Sequence, residues 1–173
     1  MIYFTSDLHY GHKAAINLSQ RPFETIEEMN ETLIQRWNAK VKQNDTVYIL
    51  GDLSFRIPVD EANVFIRKLH GKKILIKGNH DKKYDASLFE EICDFKEINI
   101  YQQSFSLMHY PMLEWPKSRY GSIHLHGHQH NNKDYNIAMK KAGILRYDVG
   151  VDVNDFTPVS MGEILNFFKE ETI

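Results

Sequence analysis

Cysteine is nearly absent: Cys93 stands alone, so neither an intramolecular disulfide nor a cysteine-rich zinc or iron–sulfur site can form. Long apolar runs are missing too. The amino terminus, Met1-Ile2-Tyr3-Phe4-Thr5-Ser6-Asp7, turns polar after its first few residues, too soon for a signal h-region or a membrane span. The expected compartment is the reducing cytoplasm, with no membrane partner. Excess charge is likewise lacking, since 21 basic against 23 acidic residues leave a formal net charge of −2 with histidine neutral. No bulk positive field is therefore available to hold extended nucleic acid, although a local phosphate contact stays open. Internal repeats, low-complexity tracts and linker-like stretches are not found, and 9 glycines and 5 prolines in 173 residues are ordinary. With 42% hydrophobic and 25% charged residues the chain is globular in composition, expected as a single domain over residues 1–173. A chain of this length buries roughly 70% of the surface its unfolded form exposes.

What the chain has in quantity is histidine. Four of its 9 fall in His124-Leu125-His126-Gly127-His128-Gln129-His130. Alternation at period two places one set of imidazoles on one side of a strand, and Gly127 lets the backbone turn where the strand ends. Taken singly, each histidine reads as an exposed or hydrogen-bonded strand residue. Taken together, with aspartates at other strand ends, they point to metal.

Three short apolar stretches end in polar clusters: residues 2–6 before Asp7, 46–50 before Gly51-Asp52, and 73–77 before Gly78-Asn79-His80-Asp81. These read as buried strands that deliver ligands from their carboxyl ends. Between them lie helical patterns. Thr25 with Glu28 gives a capping box, and Ile26, Met29, Leu33, Trp37 and Val41 recur at spacings of three and four. A second helix is expected over about residues 60–69, with Phe65, Ile66 and Leu69 as its stripe and Gly71 beyond its end. The alternation is that of parallel α/β units. After about Phe95 come shorter β-like runs at 97–101, 104–109, 122–126 and 145–149, then a helix capped by Ser160 and Glu163. The segment 131–144 reads as short and polar, with Lys140 and Lys141 on a solvated face. His70 is expected to meet a helix carboxyl terminus. Trp37, Phe65, Met108 and Phe167 read as core. The expectation is a mixed sheet or two packed sheets with helices outside.

The candidate ligands fall into five groups: Asp7 with His9, Asp52, Asn79 with His80, His109, and His128 with His130. In that order, Asp-x-His, Gly-Asp, Gly-Asn-His-Asp, His and Gly-His-x-His resemble the calcineurin-like metallophosphoesterase superfamily. The resemblance implies a four-layer α-β-β-α sandwich of two mixed sheets flanked by helices, with two metal ions at the strand ends. It implies Asp7, His9 and His130 on one ion, Asn79, His109 and His128 on the other, and Asp52 bridging. Nitrogen and carboxylate donors without thiolates suit an open catalytic site for Mn²⁺, with Fe, Ni or Zn as alternatives. The implied reaction is hydrolysis of a phosphodiester or phosphomonoester by attack of a metal-bound hydroxide.

His80 is the family's candidate to protonate the leaving oxygen, a task suited to imidazole with its ordinary pKa near 6.5. Asp81 resembles the orienting partner of that ring, or else serves as a turn or N-cap residue. His12, in Asp7-Leu8-His9-Tyr10-Gly11-His12, is a candidate phosphate donor at the rim, or a solvent-facing loop residue. Asn79 and His126 are further candidates for substrate contact, and His124 is taken as structural. Arg56, Tyr110 and Arg119 adjoin the site, with surface or packing roles preferred. A small phosphate-ester substrate is expected ahead of extended nucleic acid. A nuclease of the same fold, a non-catalytic metal-binding scaffold and a homodimer remain open alternatives.

Overall fold

The computed structural model describes residues 1–170. In chain order the elements are β1 (Ile2–Thr5), α1 (Lys13–Leu18), α2 (Ile26–Lys40), β2 (Thr46–Ile49), α3 (Val59–Lys68), β3 (Lys72–Ile76), β4 (Glu91–Cys93) and β5 (Lys96–Ile100). There follow β6 (Gln103–Leu107), β7 (Ile123–His126), α4 (Asp134–Lys141), β8 (Arg146–Asp148), β9 (Val159–Ser160) and α5 (Met161–Lys169). They build two mixed sheets flanked by helices, as the resemblance implied. The first has the order β4-β3-β2-β1-β9, parallel except for β9, and the second β5-β6-β7-β8, parallel except for β5.

Alternation along the first sheet feeds two cores. Tyr3, Val47, Ile49 and Leu75 join Leu33, Trp37 and Ile66 of α2 and α3. Phe4, Tyr48 and Ile76 point the other way and meet Phe105, Leu107, Ile123 and Leu125 of the second sheet. Phe4 is central to this contact, stacked on Tyr48 at 5.5 Å and lying 5.8 Å from Phe105. A lone parallel bridge, Ser6 to Gly150, joins the end of β1 to the segment after β8. The carboxyl ends of both sheets' parallel strands therefore share one edge of the molecule.

Helix termini follow the sequence signals closely. Thr25 accepts from Glu28 N at 3.1 Å, although the Glu28 carboxylate serves Glu24 N rather than closing the expected box. At α5 the Ser160–Glu163 box is complete. His70, expected at the carboxyl terminus of the helix it follows, instead meets that of α2, where its Nδ1 lies 3.3 Å from Val41 O. Within the segment expected to be short and polar, residues 134–141 form α4, anchored by Asn136, which exchanges hydrogen bonds with the Asp148 backbone. Lys140 is less solvated than expected, bonding Phe167 O across to α5. No helix among the described residues is long and apolar enough to cross a membrane.

Candidate metal centre

Five of the expected ligands, Asp7, His9, Asp52, His128 and His130, have left-handed backbones, with φ of 58°, 54°, 55°, 75° and 48°. Such conformations cost non-glycine residues of order 1–3 kcal/mol each and persist only where the surroundings over-determine them. Here they are tied by main-chain bonds: Asp7 N to Gly51 O, His9 N to Asp52 O and Gly127 N to His109 O, each 3.0 Å. Gly127 matters for a different reason from the one its position suggested. Its φ is not positive; a Cβ there would lie 2.1 Å from Ser6 Oγ and 2.3 Å from Asp7 Oδ2. Bare backbone at Gly127 lets the histidine strand end pass directly over Asp7, whose carboxylate accepts from His128 N at 3.0 Å.

The donor atoms converge in two groups around one oxygen. On one side His9 Nε2 and His130 Nε2 are 3.1 Å apart, and His130 Nε2 is 4.0 Å from Asp7 Oδ1. On the other, His109 Nε2 is 3.0 Å from Asn79 Oδ1 and 3.2 Å from His128 Nδ1. Asp52 Oδ2 stands between, 3.7 Å from His9 Nε2 and 3.5 Å from His109 Nε2. Donors at about 2.1 Å from a shared ion are roughly 3.0 Å apart in cis and 4.2 Å in trans. Asp7, His9 and His130 could hold an ion, as could Asp7, Asp52 and His109.

The hydrogen bonding around these rings fits a cation. His109 Nδ1 is 2.7 Å from Leu50 O, which can only accept, so Nδ1 carries a proton and Nε2 is the nitrogen turned toward Asn79 Oδ1 and Asp52 Oδ2. One nitrogen and two oxygens thus converge there, a donor set that suits a divalent ion. Burial drives His9 down to about 2, helped by His130, and leaves it a neutral ligand. Burial lowers His128 as well, reinforced by His109. For His130, burial acts downward but the Asp152 hydrogen bond and the Asp7 charge outweigh it, and its pKa rises. Asp7 is pushed up to about 6, chiefly by burial.

His80 lies at the opening. Its Nε2 is 4.0 Å from Asp52 Oδ2, its backbone N donates to Asp52 Oδ1 at 2.9 Å, and its ring sits edge-on to Phe55 at 4.5 Å. Asp81 does not orient that ring. Its carboxylate instead accepts from Asp52 N, Leu53 N and Gly78 N at 2.8–2.9 Å and from the Tyr84 hydroxyl at 3.0 Å, the turn role left open by the sequence. His12 is half-buried, its ring 4.0 Å from that of Phe55, while Arg56 lies 4.9 Å from the same ring. Phe55, unremarked in the sequence, is the platform for all three. Tyr110 packs on His128 at 4.5 Å.

A substrate contact for His126 is not available. Its ring is fully buried, Nδ1 against Gly127 O and Nε2 against the Tyr135 hydroxyl, because the strand parity that linked it to His128 ends at His126. His124 is structural as expected, accepting from Met112 N at 3.0 Å. Sequence reasoning missed Arg21 and Asp152. Asp152 Oδ2 is 2.7 Å from His130 Nδ1, and Arg21 holds the same carboxylate at 2.8 and 3.0 Å. Neither lies in a recognisable motif; only the buried, paired charges mark them.

The calcineurin-like phosphoesterase model matches residues 1–137, a stretch that contains every strand-end donor from Asp7 to His130 and stops short of Asp152. An uncharacterized protein of Methanocaldococcus jannaschii, MJ1445, is 36% identical over 172 residues, 98% of this chain and 92% of its own length. The gene 66 protein of Mycobacterium phage L5 is 28% identical over 160 residues, 75% of this chain and 77% of its own. The crystal structure of AQ665, a protein of unknown function from Aquifex aeolicus, matches with a TM-score of 0.76 at 30% identity, covering 96% of this chain and 98% of that one. Two mixed sheets, a convergent aspartate–histidine cluster at their shared edge and this match place the chain in the calcineurin-like phosphoesterase family, metal-dependent hydrolases of phosphate esters.

Proposed function

We propose that the chain is a dinuclear phosphoesterase of the cytoplasm, hydrolysing a small phosphodiester or phosphomonoester with Mn²⁺ as its working metal. The observation that carries this reading is Asp52 Oδ2, which lies within 3.7 Å of a donor from each histidine group and so has the position a bridging ligand needs. Asp7, His9 and His130 would hold one ion, and Asn79, His109 and His128 the other. Bound there, two divalent ions would polarise the phosphoryl oxygens and lower the pKa of water.

The remaining work falls to this chain's own side chains. His80, partly exposed beside Asp52, delivers a proton to the leaving oxygen. His12, packed on Phe55, donates to a non-bridging oxygen, and Arg56 adds positive charge beside the same ring. A groove of about 1010 Å³ opens beside His130 and Asp152, walled by Tyr135, Phe156, Gln20 and Arg36. It touches the donor cluster only at that end, which suits the organic part of a small substrate whose phosphate lies at the metals.

The test is hydrolysis of bis-p-nitrophenyl phosphate beside p-nitrophenyl phosphate, with Mn²⁺ and after chelation. Turnover that chelation removes and Asp52→Asn abolishes is expected, and the faster ester decides diester against monoester chemistry. No turnover with any divalent ion would transfer the site to a binding scaffold.

A further inference from the structure

Among the described residues, the buried polar groups outside the donor set include one ion pair whose hydrogen bonds reach the main chain at Asp7 and Leu8 and the ring of His130, and none of Asn79, His109 and His128. Arg21 and Asp152 are 131 residues apart in sequence, and their side chains are 0% and 7% exposed. Removing a guanidinium and a carboxylate from water is costly, and such a pair is a weak source of stability unless its remaining hydrogen-bonding capacity is used. Here it is used on the metal ligands. Arg21 Nη2 donates to Asp7 O at 2.7 Å and Nη1 to Leu8 O at 3.1 Å, so the guanidinium grips both carbonyls of the turn between Asp7 and His9. That turn is the one whose two ends have left-handed φ, and it has to be held in register. Through Asp152 the same guanidinium fixes the His130 ring. The carboxylate accepts from Nδ1–H and so turns Nε2 toward His9.

The second group is secured differently. His109 is set by Leu50 O, and Asp52 and the Gly78 turn by Asp81. No hydrogen bond from Arg21 or Asp152 reaches Asn79, His109 or His128 among the described residues.

We infer that Arg21 and Asp152 are positioning residues for one ion only, the one assigned to Asp7, His9 and His130. The pair sets that ion's affinity and leaves the other unchanged. This rests on the dinuclear reading above.

The test is Mn²⁺ titration by calorimetry, with electron paramagnetic resonance to distinguish coupled from lone ions, on wild type, Asp152→Asn and the double variant Arg21→Met/Asp152→Asn. Wild type is expected to take two ions with a coupled spectrum. In Asp152→Asn one dissociation constant should rise roughly 10–100-fold, the usual cost of losing a ligand's supporting partner, while the other holds and the uncoupled spectrum of a lone ion appears. Should Asp152→Asn fail to fold with Arg21 left unpaired, the double variant, which removes both charges, carries the same expectation. Equal weakening of both ions, or wild-type affinity for both, overturns the inference and leaves the dinuclear reading standing. A wild type that takes up fewer than two ions overturns that reading, and the inference with it.

Discussion

The two halves of the donor cluster are held by opposite chemistry. Around Asp7, His9 and His130 a buried cation, Arg21, collects carbonyl oxygens and a carboxylate. Around Asp52 and Asn79 a half-buried anion, Asp81, collects three main-chain amides and a hydroxyl. A carbonyl-rich turn needs a donor at its centre, whereas the turn at Gly78 presents amides and needs an acceptor. The difference also separates the nearer from the more distant. Asp81 gathers Gly78, three residues back, and Asp52, 29 residues back, while Arg21 works through a partner 131 residues away, beyond β8.

Asp52 belongs to both halves, so its loss should be the most damaging. Asp52→Asn keeps the oxygen that accepts from His80 N yet removes the charge shared between His9 and His109. Turnover of bis-p-nitrophenyl phosphate should fall below detection, and the coupled Mn²⁺ spectrum should disappear. Wild-type turnover with two ions bound would mean that the halves are independent sites and that nothing bridges them.

Asp81→Ala strikes the second half alone. It strips acceptors from buried amides, and each such loss costs about 1–3 kcal/mol. The midpoint of metal-free urea unfolding should drop, and affinity for the ion assigned to Asn79, His109 and His128 should weaken. If Asp81 instead oriented the His80 ring, the variant would retain stability and shift the acid limb of the pH–rate profile. The geometry predicts the first pattern.

A pH effect separates the donor cluster from the strand that carries it. His124 lies beneath the loop that leaves His109, with Nδ1 2.9 Å from Ser106 O and Nε2 accepting from Met112 N. Burial lowers its pKa to about 4 from an ordinary 6.5, and the hydrogen bond to Ser106 O only partly opposes that. Between these values the unfolded chain binds the proton and the folded chain does not. His124 therefore stabilises the fold above pH 6.5, and this contribution is lost as the pH falls toward 4, by roughly 3 kcal/mol. Asp7 and Asp148, each pushed up to about 6 mainly by burial, act with the opposite sign, favouring the fold below about pH 4 and losing that contribution as the pH rises through 6. The measurable quantity is thus the difference between wild type and His124→Gln in metal-free urea unfolding at pH 7 and pH 4.5. Parallel curves would mean that Met112 N does not depend on a neutral ring.

The same near-against-distant contrast explains what could be read from the residues alone. The strands before Asp7, Asp52 and Asn79 were evident because each is an apolar stretch closed by polar residues, and α2 and α5 announced themselves through Thr25 and Ser160. The edge strands β4 and β9 were not, since three and two residues are too few to show an alternation. Likewise α1 begins at Lys13, and His12 before it offers no side-chain cap. Within the site, motif residues were visible and their supports were not. Arg21, Asp152 and Phe55 acquire meaning only when the chain brings them to the cluster. His126 misled because alternation was extended past the point where the backbone leaves the strand and His128 adopts a positive φ.

Phe55 offers the finest test, because it touches neither fastening. Its ring contacts the imidazoles of both His12 and His80, at 4.0 and 4.5 Å, and carries Arg56 against it at 4.9 Å. All three groups stand at the opening, where solvent weakens each contact. His12→Ala should therefore raise KM about threefold to tenfold, the ~1 kcal/mol of one partly exposed hydrogen bond to a charged group, with metal stoichiometry unchanged. Phe55→Ala should do the same and also lower kcat, because it frees His80 together with His12. A split in which His12→Ala moves only KM while Phe55→Ala moves both parameters would assign binding to His12 and proton delivery to His80. Equal effects on kcat from both variants would make His12 a partner in the chemistry itself, and the rim would then extend the half of the site that Arg21 holds.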